Sequence, residues 1–163
     1  DAKLQGPTRA ASYTWKDKMM KKLLRTLFVV AFLGIMMSMT GFAQNNTEAE
    51  VIAKVNDIRV ANGLNALRYD ASLEATATVR ANELNVRFSH TRPDGSDWYT
   101  VNPDLMYGEN LADGYNTADA VVNAWMASPE HKANILKPDF TTVAVSSVVK
   151  NGKTYWAQEF GMD

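Results

Sequence analysis

The 163-residue chain has no cysteine, which excludes a thiol nucleophile, a thiolate metal ligand, a disulfide framework and the lipid-modified cysteine of an export anchor. Histidine is nearly absent too, with His90 and His131 the only two. No Gly-x-Ser-x-Gly elbow occurs, so covalent catalysis has no evident nucleophile. One long apolar run exists, Leu27 to Met39, and it falls short of the roughly 18 to 20 residues that span a bilayer. From residue 44 onward, ten lysines and arginines stand against sixteen aspartates and glutamates, a net charge of −6. With no basic patch or Lys/Arg-rich helix, nucleic acid and anionic membrane surfaces are not expected partners.

What is present begins with "MMKKLLRTLFVVAFLGIMMSMTGFAQNN", Met19 to Asn46. Lys21, Lys22 and Arg25 form a basic start, the apolar run follows, and Gly41 and Ala43 place small residues three and one before a cut that makes Gln44 the first mature residue. Residues 19–43 therefore read as a secretory signal, and the mature chain is expected in the periplasm or the medium with no transmembrane anchor. Translation is expected to start at Met19 or Met20, and residues 1–18 read as an upstream extension that is not native. Residues 44–163 are expected to form one domain, large enough to bury about two-thirds of its unfolded surface without disulfides.

Local patterns then set the elements. Thr47 and Glu50 have capping-box spacing ahead of Val51, Ile52, Val55 and Ile58, which recur on one helical face and end at Gly63. Leu67-Arg68-Tyr69 is extended, and Asp70 caps a second helix carrying Leu73, Ala77, Ala81 and Leu84. From Thr91 to Asn116 the chain is rich in Pro, Gly, Asp and Asn and reads as a long functional loop, with a turn at Arg92-Pro93-Asp94-Gly95. Thr117 caps a third helix with Ala118, Val121, Val122 and Trp125 inward, and Ser128 with Pro129 starts a short fourth. Two β-rich runs around Asn151-Gly152 predict an antiparallel hairpin. Trp125 and Trp156 sit in apolar-patterned elements and are expected in the core.

The two histidines lie 41 positions apart, which fits no local zinc motif, since a helical pair stands four apart. His131 falls in the first turn of the short helix, where unpaired N–H groups and the dipole disfavour a second positive charge. A neutral imidazole is the form that binds metal or accepts a proton. Glu109 stands between them in a Gly-flanked polar loop. Two neutral histidines and this carboxylate are a donor set for a zinc-like ion with one position open to water. Gln158 and Glu159 alternate on the last strand, so at most one faces a given cleft.

"RANELNVRFSHTRPDGS", "GENLA", "AWMASPEHKANIL" and "YWAQEFG" occur in the order seen in bacterial CAP domains, the superfamily of cysteine-rich secretory proteins, antigen 5 and pathogenesis-related 1 proteins. The resemblance runs from about Thr47 to Gly161. It implies an α+β fold, a three-layer α-β-α sandwich whose small antiparallel sheet is covered by helices around an open cleft. It implies His90, Glu109, His131 and Asn134 as cleft residues and zinc, or another divalent ion, on His90 and His131. Asn134 matches the family asparagine, and amide chemistry suggests a loop-to-loop hydrogen bond for it. The usual second acid belongs on the helix bearing Trp125, but Val121 to Ser128 contain no carboxylate, and Glu130 is the nearest substitute. The implied function is binding of a small ligand, a lipid, or an extracellular protein or cell-wall partner. The alternatives are a metal-assisted hydrolase acting on peptide, cell-wall or lipid-ester bonds, with Glu109, Glu130 or His131 as catalytic candidates, and a structural extracellular module.

Overall fold

The computed structural model describes Met20 and residues 47–163. Apart from Met20, the predicted signal lies outside the described residues, as does the upstream extension. Helix α1 is already under way at 47 and runs to 61, so Thr47 is a helical residue and not the cap that its spacing to Glu50 suggests. Strand β1 (Arg68–Tyr69) leads into α2 (Ala71–Glu83), whose N-cap Asp70 accepts from Ser72 N and Leu73 N. A 3₁₀ turn (Trp98–Val101), strand β2 (Gly108–Asp113), helices α3 (Ala118–Ala127) and α4 (Pro129–Ile135), and strands β3 (Thr142–Lys150) and β4 (Lys153–Gly161) follow.

The turn at Asn151-Gly152 takes positive φ at both residues, 54° and 76°, the geometry that lets a two-residue loop join twisted strands. β4 is thereby antiparallel to β3, and β2 is antiparallel to the other side of β4. The strand order is β1-β3-β4-β2. β1 pairs with β3 in parallel over two residues, Arg68 with Thr142 and Tyr69 with Val143, which makes the otherwise antiparallel sheet mixed.

Helices cover both faces, as strand alternation demands when both are apolar. Val143, Val145, Trp156 and Phe160 pack with Val51 and Val55 of α1, Val121 and Trp125 of α3, and Ile135 of α4. On the opposite face Ala144, Leu111 and Ala157 meet Leu73, Ala77, Ala81 and Leu84 from α2 and the residue that ends it. Trp125 and Trp156 are both core residues, with their indole N–H groups donating to Leu111 O and Tyr115 O.

The loop reading fails at Gly108 to Asp113, which is a strand. Its polar letters suit a sheet edge whose backbone is satisfied on both sides. β4 supplies one side. On the other, Trp125 Nε1 donates to Leu111 O and Asn134 Nδ2 to Glu109 O, so the edge is covered by α3 and α4. Gly108 is required here because a Cβ would fall 2.5 Å from the Phe140 ring, which itself stacks on Phe160.

Candidate functional site

β2 holds the site together because its alternation sends neighbours to opposite faces. Glu109 points to the α2 face and Asn110 to the α4 face, and each engages one of the two histidines. Glu109 Oε1 lies 2.7 Å from His90 Nδ1. Asn110 Nδ2 donates to the backbone oxygen of His131 at 3.1 Å. The two histidine motifs, 41 residues apart in sequence, thus converge on consecutive residues of one strand.

Glu109 is only 4% exposed and is anchored by Arg80, which is fully buried on α2. Arg80 Nε donates to Glu109 Oε2 at 2.7 Å and the terminal nitrogen Nη2 to Oε1 at 3.3 Å. Nη2 also donates to Ser89 O, just before His90, at 2.7 Å, and Nη1 donates to Glu83 at 2.6 Å. Glu83 is in turn held by Arg92 of the "TRPDG" turn at 2.7 Å. Burial alone would lower the Arg80 guanidinium, but the hydrogen bonds and charges of Glu109 and Glu83 raise it above the ordinary arginine value. Burial pushes Glu83 up, and the hydrogen bonds and charges of Arg92 and Arg80 outweigh it and hold the carboxyl below its usual range.

A carboxylate facing a guanidinium can only accept, so His90 must present Nδ1–H to Glu109. Its Nε2 lone pair is then directed away from Glu109, on a ring that is more than half exposed. His131 is half-buried. Burial lowers its pKa and repulsion from His90, whenever that ring is protonated, lowers it further, against a smaller opposing pull from Glu130. The neutral imidazole expected for a first-turn histidine is therefore the favoured form.

His131 lines an open groove of about 320 Å³ together with Phe88, Asp113, Tyr115, Trp125 and Ser128. A larger cavity of about 390 Å³ sits between α1 and β1, lined by Glu48, Ile52, Tyr69 and Glu74; it contains neither histidine. Asn134 is half-buried and donates to Glu109 O and Asn110 Oδ1. It bridges helix to strand, in place of the loop-to-loop bond that amide chemistry suggests. Glu130 is exposed and takes no part in the Glu109 cluster. Gln158 and Glu159 are both fully buried on opposite faces; Gln158 Oε1 accepts from Asn110 Nδ2 at 3.0 Å.

Arg80 is the site residue that sequence reasoning misses. Its signal is an arginine beside Ala77, Ala81 and Leu84 on a helix stripe that faces the core, since a charge on such a stripe implies a buried partner. Among the described residues, no cluster of three or more His, Cys, Asp or Glu side chains is arranged to hold a metal ion, and no helix is long and apolar enough to cross a membrane.

Residues 52–160 match the cysteine-rich secretory protein family, CAP. The uncharacterized protein YkwD of Bacillus subtilis (strain 168) is 34% identical over 120 residues, covering 69% of this chain and 46% of its own length. The chain thus spans under half of that relative. Among solved structures, an extracellular SCP-domain protein from Bacillus anthracis superposes with a TM-score of 0.64 at 24% identity, over 74% of this chain and 41% of that one. An outer surface protein from Borrelia burgdorferi gives 0.60 at 24% identity, over 68% and 88%. Both superpositions carry the same sandwich. With the family match spanning 52–160, the chain belongs to the cysteine-rich secretory protein (CAP) family, although it has none of the cysteines for which that family is named.

Proposed function

We propose that this chain is an exported CAP module whose cleft, at His90 and His131, binds a small ligand or an extracellular partner. Export rests on the signal-like segment 19–43 and on the similarity to the extracellular Bacillus anthracis protein. The observation that carries the binding reading is the chain from buried Arg80 through Glu109 to His90. A fully buried arginine that fixes the carboxylate beside an exposed imidazole, and the carbonyl just before it, favours a role in orienting that ring.

The donor set suits a loosely held divalent cation such as zinc. His90 through Nε2 and His131 would hold it, with water completing the shell, where tighter zinc sites use three or four protein ligands. When bound, such an ion supplies Lewis acidity. Glu109 serves Arg80 and His90 and is not free to act as a general base, and Glu130 is exposed, so binding is favoured over the hydrolase reading. A lipid with one acyl chain, a cell-wall fragment and a protein loop are the ligand classes for the groove of about 320 Å³ beside His131.

The test is thermal unfolding of the full chain, stripped of metal and then titrated with zinc, beside His90→Ala and His131→Ala. A zinc-dependent rise in melting temperature that either substitution removes is the expected result, because ligand bound to the native state stabilises it by mass action. Equal curves with and without zinc in all three proteins would remove the metal from the proposal.

A further inference from the structure

Among the described residues, Glu159 is a buried acid whose one polar neighbour on the sheet is another carboxylate, Glu109. It is fully buried in β4, and neither carboxyl oxygen has a donor facing it. The strand register places it directly opposite Glu109 on β2, with Ala144 of β3 on its other side. All three point to the α2 face, under Arg80. The Arg80 fork is already committed to Glu109, Glu83 and Ser89 O.

Two ionised carboxylates in this position would repel each other in a water-free interior, and neither could donate to the other. A single proton between them removes both difficulties. Burial is the main force that raises Glu159 well above the usual carboxylate range, the charge of Glu109 and a hydrogen bond shared with it add to that, and only the Arg80 charge opposes. The groups facing Glu159 are therefore Glu109 from β2 and Arg80 from α2, with Glu83 behind the arginine; β3 offers only Ala144.

We propose that Glu159 is the second acid of this site: a neutral carboxylic acid that donates its proton to Glu109 and so positions the carboxylate that orients His90. The helix bearing Trp125 has no acid to offer between Val121 and Ser128; β4 supplies one from inside the sheet. Glu159 is a positioning residue, acting through Glu109, which then accepts from Arg80, His90 and Glu159 at once. The service to His90 rests on the cleft reading above, whereas the neutral acid does not.

The experiment compares the full chain with Glu159→Gln and Glu159→Val. Difference infrared spectroscopy at neutral pH should show the carbonyl stretch of one protonated carboxylic acid, lost in both variants. The pH profile carries the second arm. In the unfolded chain Glu159 ionises near its ordinary 4.5, while the folded residue keeps its proton, so wild-type stability falls as pH rises above that point. Glutamine has no such loss, and its melting temperature should gain on wild type from about pH 4 to pH 7. Glutamine also retains an N–H to donate to Glu109, so nitrogen NMR should show the His90 Nδ1–H form intact in Glu159→Gln and diminished in Glu159→Val. No protonated carboxyl at neutral pH, or a Gln advantage independent of pH, overturns the neutral acid. Identical His90 signals in the two variants overturn the positioning role while leaving the zinc experiment untouched.

Discussion

Arg80 shows how much one side chain can organise. It has no exposed surface, yet it joins α2 to β2 through Glu109, to its own helix through Glu83, and to the turn before His90 through Ser89 O. Replacing it with methionine keeps the volume and removes the charge, leaving Glu109 as a buried carboxylate with its main partner gone. Loss of one member of a buried pair costs about 3–5 kcal/mol, and urea unfolding of Arg80→Met should show a loss of that size. A second change, Glu109→Gln, should recover part of it, since the orphaned charge is then absent. His90, Glu109 and His131 are legible from motifs because each sits in a short, ordered run of unusual residues. Arg80 and Glu159 are not, because a buried charge is defined by partners distant in sequence: Glu109 lies 29 positions from Arg80, and its register opposite Glu159 exists only once the sheet forms.

At the scale of elements, turns and most caps are readable, Thr47 being the exception, and the edge strand is not. Asp70, Thr117, Pro129 and Asn151-Gly152 act through neighbours one to three residues away, so local sequence decides them. β2 carries little β-propensity in "GENLAD", and its strand state is imposed by β4 on one side and by Trp125 and Asn134 on the other. Helix α4 depends on tertiary support in the same way, since seven residues cannot sustain a helix alone. Much of that support is Arg59, a buried guanidinium whose hydrogen bonds go to the carbonyls of Asn65, Ile135, Lys137 and Phe140. Three of those carbonyls lie at the end of α4 and just beyond it. Arg59→Met should therefore strand several carbonyls at about 1–3 kcal/mol for each one left unsatisfied. A fall of at least about 2 kcal/mol in urea unfolding, with weaker hydrogen-exchange protection across 129–136, is the expected outcome; a loss of stability without that local signature would mean α4 is held elsewhere.

For the molecule as a whole, the absence of disulfides leaves burial and polar networks to hold the described domain, and one network crosses it. Arg92, Glu83, Arg80, Glu109 and His90 tie the loop after α2, the helix itself and the sheet edge into one connected path. Glu83 is its joint, bonded to an arginine on each side. Its folded pKa is held below the ordinary 4.5 by Arg92 and Arg80 against the upward push of burial. The sign follows from proton binding: above about pH 4.5 the carboxylate is ionised in both states and its contribution is fully present, and as pH falls through the lower folded pKa that contribution is lost. Glu83→Gln should accordingly melt below wild type at about pH 7, and the two curves should draw together as the pH falls from about 4.5 toward 3. Other titrating groups, including Glu48 and Glu159, whose folded pKa values are raised, are common to both proteins and cancel in the difference. A gap that stayed constant down to about pH 3 would assign the effect of Glu83 to packing alone, and would break the link between this joint and the electrostatics that orient His90.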